Sequence, residues 1–149
     1  MAQTYFGSAV RAGSTALTDT TDGGYMVLSQ TTTVTTVAAG TASSAYVTLP
    51  ASSQIINFLV DTVTDEVVGG GTATAIAMTI GTAAAGTQYV SSTDVIGGGR
   101  IALTFTAAQL TAMSDIGTSQ NVYITVDPNG TISTTQGVYR LTVVYSQKI

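Results

Sequence analysis

Of the side chains that could do chemistry, two of the most versatile are missing. The 149-residue chain contains neither His nor Cys. It therefore lacks the commonest general base and the commonest metal ligand. It also lacks disulfides, thiolate nucleophiles and zinc–thiolate sites. Ser-His and Cys-His arrangements are impossible, so a carboxylate pair is the remaining catalytic option. Asp61, Asp65 and Glu66 lie close together in the sequence. Acid catalysis would require one of them to be desolvated so that its pKa rises. They fall at a strand end and in an open loop, where ordinary solvated carboxylates are expected. No enzymatic activity is expected from them.

Calcium takes oxygen ligands alone, so it is the metal to weigh. Asp19 and Asp22 before Gly23, or Asp127 with Asn129, have suitable donors. Neither follows the EF-hand series with its distal Glu, and turn chemistry accounts for both. The glycine triplets at 69–71 and 97–99 are not phosphate loops. One phosphate motif needs a following Lys-Ser/Thr, the other a following helix, and here a strand is expected after each. Neither metal nor cofactor is expected.

Composition narrows the partners. Charged residues make up only 8% of the chain and hydrophobic residues 44%, with a net charge of −4. This much apolar content argues against disorder. Low charge suits a protein held in an ordered assembly better than one kept apart by repulsion. The basic residues are Arg11, Arg100, Arg140 and Lys148, scattered along the chain. Nucleic-acid binding requires clustered cations, so no nucleic-acid partner is expected. No apolar run is long enough to span a bilayer, and the N-terminus has no signal-peptide core. Synthesis in the host cytoplasm, without a membrane partner, is the expectation.

The elements that must position these residues are strands. Residues 1–23 read as an N-terminal arm, and 24–149 as a single domain. Two readings of the arm stay open: a frayed terminus, or a segment that orders on a neighbouring subunit. In the second, Tyr5, Phe6, Val10 and Arg11 are the candidate partner contacts. Tyr25 opens a strand or a bent pair of strands that runs to Val37. The central unit spans 45–63, AYVTLPASSQIINFLVDTV. A strand ends at Leu49-Pro50, where the missing proline N–H costs nothing. After a polar turn, 54–63 forms the most β-like run. Ile56, Phe58 and Val60 share its predicted core face. Ile55, Asn57, Leu59, Asp61 and Val63 share a mixed face, expected to be covered by a loop or a neighbour.

Further strands are expected at 72–82, 87–91, 100–105, 120–126 and 137–147. Ile76, Met78 and Ile80 should face one way, with an alanine row opposite. Ile101, Leu103 and Phe105 are predicted inward, as are Val122, Ile124 and Val126. The last strand should be central, with Tyr139, Leu141, Val143 and Tyr145 on one face. The one helical signal is 106–113. Thr106 and Gln109 have capping-box spacing, and Leu110 and Met113 share a face. Asp127-Pro128-Asn129-Gly130 predicts a turn with positive φ at glycine. The whole reads as an all-β antiparallel sandwich of about eight strands, leaning towards a jelly roll.

Several stretches carry a family likeness: VTLPASSQIINFLVDTV, AMTIGTAAAGTQYVSSTDV, GRIALTFTAAQL, NVYITVDPNG and VYRLTVVYSQ. In pattern and composition the chain resembles the capsid decoration, or cement, proteins of tailed bacteriophages. The resemblance implies a structural virion protein on the outer capsid surface, reinforcing the shell. It implies the major capsid protein as partner and a homotrimer at three-fold positions. It offers no catalytic residues. The alternative is a phage tail or fibre module that binds host glycans, with Tyr89 and Tyr123 as its aromatic candidates. A more distant alternative is a carboxylate-pair hydrolase.

Overall fold

The computed structural model describes residues 11–12, 15–16, 25–67, 71–132 and 135–148. A short ladder joins β1 (Arg11–Ala12) to β2 (Thr15–Ala16). The remaining strands are β3 (Tyr25–Thr35), β4 (Ser43–Leu49), β5 (Ser53–Thr64), β6 (Ile76–Gly81), β7 (Val90–Asp94), β8 (Arg100–Ile101), β9 (Gln120–Pro128) and β10 (Val138–Lys148). One helix, α1 (Ala107–Met113), lies between β8 and β9. Two four-stranded sheets result, ordered β3-β10-β5-β8 and β4-β9-β6-β7, with every neighbouring pair antiparallel.

The pairing is nested. β3 pairs with β10, β4 with β9, β5 with β8 and β6 with β7. The chain is thus one long antiparallel hairpin, rolled so that its rungs fall alternately into two facing sheets. That is the jelly-roll form of the all-β sandwich.

Alternation decides which side chains enter the core. Val122, Ile124 and Val126 on β9 are fully buried, as are Ile76, Met78 and Ile80 on β6. They face Tyr139, Leu141, Val143 and Tyr145 of β10, which occupies the predicted central position. Burying each such aliphatic side chain stabilises the fold by roughly 1.5–3 kcal/mol. Phe58 joins the end of the core to Tyr89 and Phe105, with ring centroids 5.5 and 6.4 Å away. Buried tyrosines need partners for their hydroxyls. Tyr89 donates to Gln120 Oε1 at 3.0 Å, and Tyr145 accepts from Gln30 Nε2 at 3.1 Å.

β5 departs from the predicted faces. Val144 lies opposite Asn57, but Tyr145 lies opposite Ile55, so Ile56 is an extra, unpaired residue. This β-bulge resets the alternation. Ile55 becomes 3% exposed and joins Phe58 and Val60 in the core, while Ile56 is 49% exposed. The Asn57 side chain accepts a hydrogen bond from the Phe58 N–H at 2.8 Å, which supports the bulge locally. A second bulge follows at Val63, between the pairs Tyr139–Thr62 and Val138–Thr64.

Smaller departures have equally local causes. The capping box forms as expected, with Thr106 Oγ1 and Gln109 Oε1 reciprocally accepting backbone N–H bonds. The inward helical face, however, is Gln109 with Met113, and Leu110 is exposed. Gln109 is drawn inward because its Nε2 also donates to Ser91 Oγ at 3.0 Å. The strand expected over 100–105 is regular only at Arg100–Ile101, although Leu103 and Phe105 still pack on the core. The short edge strand lies at Val90–Asp94 rather than 87–91.

In the turn after β9, Pro128 still belongs to the strand, and Gly130 does not have positive φ. Glycine is needed there for proximity: a Cβ on Gly130 would lie 2.6 Å from Thr72 Oγ1. Asn129 Oδ1 fastens the turn by accepting from the N–H groups of Thr74 and Ala75.

The bulge makes adjacent isoleucines unequal. Ile55→Ala should cost about 2–5 kcal/mol through a core cavity, and Ile56→Ala less than about 0.5 kcal/mol. Urea-denaturation midpoints of the two variants measure the difference; equal losses would show that no bulge is present.

Candidate functional site

The carboxylates divide into two unlike groups. Asp61 lies on the outer face of β5, opposite both Arg140 and Arg100 in the sheet register. Its carboxylate accepts from Arg100 Nε at 2.7 Å and from Arg140 Nη2 at 3.2 Å. The Arg100 hydrogen bond holds the Asp61 carboxyl below its ordinary value despite some desolvation, and Arg140 adds to the effect. Two cations that look scattered in the sequence thus converge on one anion. Both carboxylate oxygens are engaged by guanidinium groups, and the cluster keeps one surplus positive charge.

Glu66 is not the solvated loop carboxylate expected. It is buried, with Oε2 accepting a hydrogen bond from the Tyr139 hydroxyl. Its Oε1 is also buried and has no hydrogen-bond partner among the described residues. The enclosing chain arrives from far away in sequence. The Val67 N–H donates to the Thr135 carbonyl at 3.0 Å, bringing the segment before β10 over this loop. Gly137 lies so close to Glu66 Oε2 that a side chain there would collide with it. Desolvation raises the Glu66 pKa, opposed by the Tyr139 hydrogen bond and reinforced by Asp65 and Asp94. The same enclosure, followed by the Glu66 contact, pushes the Tyr139 phenol upward.

Among the described residues, the side-chain partner of Glu66 is the Tyr139 phenol. Glu66 contacts a phenol that is harder than usual to ionise, inside the join between β5 and β10. Among the described residues, no group of three or more acidic side chains could hold a metal ion. Asp127 is exposed, and Asn129 is occupied with the turn at Thr74 and Ala75. Asp19 and Asp22 lie outside the described residues.

A shallow cleft of about 270 Å³ is lined by Tyr25, Ser52, Ser53, Gln54, Ser114 and Asp115. Its polar groups already serve the fold. Ser53 Oγ donates to the Pro50 carbonyl at 2.7 Å, and Asp115 Oδ1 accepts from the Gly117 N–H at 2.8 Å. Among the described hydrogen bonds Asp115, the carboxylate of this lining, is engaged with Gly117 and not with a serine.

The broad features are the outer sheet faces. On the β3-β10-β5 sheet, Ser29, Thr31, Thr33 and Thr35 form an exposed row along β3. Thr31 shares a hydroxyl hydrogen bond of 3.1 Å with Thr142 on β10. On the other sheet, Tyr46 of β4 and Tyr123 of β9 are in register with ring centroids 5.0 Å apart. Tyr46 is exposed and Tyr123 half-buried. Tyr89, the other aromatic expected at a glycan surface, belongs to the core.

Tyr5, Phe6 and Val10, the proposed arm contacts, lie outside the described residues. Arg11 is described by its backbone, which pairs with Ala16. Comparison with protein-family models, curated proteins and solved structures finds no match to the chain.

The two carboxylates have opposite linkage to pH. Glu66 is raised on folding, so its contribution is complete below the ordinary glutamate range and is lost as pH rises through the folded value. Asp61 is lowered, so its contribution is present above the ordinary aspartate range and is lost as pH falls through the folded value. Glu66→Gln should therefore raise the melting temperature at neutral pH, with the gain shrinking towards the ordinary glutamate range. Tyr139→Phe should cost roughly 1–3 kcal/mol by leaving a buried Glu66 oxygen without its donor. Thermal melts across a pH series read both; a pH-independent difference for Glu66→Gln would show that burial does not raise this carboxyl.

Proposed function

We propose that this chain is a structural virion protein that binds the outer surface of a phage capsid and reinforces it, with the major capsid protein as its partner. The observation that carries the reading is the outer face of the β3-β10-β5 sheet. It is rich in threonine, and its described charged side chains Asp61, Arg100 and Arg140 are tied to one another. Most of such a face can be covered without burying a charge, and the one surplus positive charge of the Asp61–Arg100–Arg140 network can be met by an acidic group of the partner, since leaving it unpaired would be costly. A weak contact made this way is multiplied when copies repeat over a lattice, so no single copy needs high affinity. The net charge of −4 suits the outside of a shell better than a nucleic-acid-lined interior. Jelly rolls serve both as viral capsid domains and as lectins, so the fold alone does not select between them.

The Tyr46–Tyr123 pair favours a second reading, a tail or fibre module that stacks host glycans on these rings. Cryo-electron microscopy of the source particle discriminates between the readings. Under the first, density for this chain repeats over the shell lattice, and purified protein added to shells lacking it raises their melting temperature. Density confined to the tail, with glycan binding abolished by Tyr46→Ala, would replace the capsid reading with the second.

A further inference from the structure

Three of the four edges of the two four-stranded sheets end or are interrupted in ways that discourage another strand from adding. β8 has two residues. β7 has five, carries Asp94 and is irregularly paired with β6. β4 has seven and runs directly into Pro50. The fourth edge, β3, has eleven residues and none of these features. It contains no charged residue, no proline and no glycine, and its register with β10 is unbroken from Tyr25–Lys148 to Thr35–Val138.

The side of β3 away from β10 is a row of strand N–H and C=O groups. Among the described residues, no strand pairs with that side. The exposed apolar residues Tyr25, Met26 and Val27, at 63%, 49% and 66% exposure, lie together at one end of it. A long, regular, uncharged edge of this kind is a template for pairing with another chain.

We propose that β3 pairs antiparallel with β3 of a second copy of this chain across a two-fold axis at Ser29, joining two sheets into one of eight strands. The strand's own sequence selects the second copy. With Ser29 on the axis, Tyr25 faces Thr33 and Val27 faces Thr31 on the outer surface. Met26 faces Thr32 and Leu28 faces Gln30 on the inner one. Every large side chain meets a smaller or flexible one, inner rows stay with inner rows, and no charge is desolvated. Shifting one copy by a single residue would place inner residues opposite outer ones. Nine residues per strand give about eight to ten backbone hydrogen bonds across the axis. An isologous contact of this kind closes at two copies. It differs from the three-fold association that the family resemblance implies, and it does not depend on the capsid reading.

The absence of cysteine makes the test clean. The full chain should sediment as a dimer. Ser29→Cys should form an interchain disulfide under mild oxidation, because a residue on the axis faces its own copy. Thr48→Cys, exposed on the β4 edge, should not. The double variant V27K/T31K places like charges opposite each other twice, and should weaken the dimer roughly tenfold or more. Mixing it with V27E/T31E should restore a dimer, which shows that both chains remain folded. A monomer at every soluble concentration would overturn the proposal. So would a trimer indifferent to V27K/T31K, or equal cross-linking from Ser29→Cys and Thr48→Cys.

Discussion

The structure depends on β10 reaching its place between β3 and β5. One strand completes two ladders, and its row of Tyr139, Leu141, Val143 and Tyr145 supplies one wall of the core. Its partners are distant in sequence, with Tyr25 opposite Lys148 and Gln147 opposite Ser53. Little of the first sheet can be stable before almost the whole chain has been made. Nested pairing of this sort makes contacts non-local, and non-local contacts slow folding because loops must close before burial rewards them. The turns reduce that cost by being locally specified. Ser53 bonds back to the Pro50 carbonyl, and Asn129 holds the segment before β6.

Low charge alters how polar groups are used. With few ions available, the fold satisfies its interior and edges with amides and hydroxyls. Gln30 and Gln120 each bond a buried tyrosine, and the buried Gln109 bonds Ser91. Threonines pair across strands at Thr31–Thr142 and across a loop at Thr72–Thr131. The described ion pairs gather on one aspartate. Glu66 is the exception, a carboxylate enclosed by the same closure that positions β10, with one oxygen unpartnered among the described residues.

The sequence is legible where the strand period runs uninterrupted. Val122, Ile124 and Val126, and the β10 row, are correctly placed by alternation alone. Legibility fails at β5 because Ile55 and Ile56 are equally apolar, and a bulge between them leaves no hydrophobic signature. Asn57 is the one local clue, since its side chain can bond the next backbone N–H. Gln109 displaces Leu110 from the inner helix face because a hydrogen bond to Ser91, remote in sequence, decides the matter. Glu66 reads as a solvated loop residue because its partner is 73 positions away. Asp61 is visible as a candidate, but the convergence of Arg100 and Arg140 requires the sheet register.

The register of β3 with β10 also has a mechanical meaning. Residue 25 sits opposite residue 148, so these points emerge side by side from the same end of one ladder. A force pulling them apart loads the rungs one after another, as in opening a zipper. A force along the strands instead loads many hydrogen bonds together and meets greater resistance. The jelly roll is thus strong against traction along its sheets and weak against peeling at that corner. A load-bearing attachment would hold best if it grips a sheet face, leaving that corner free of tension.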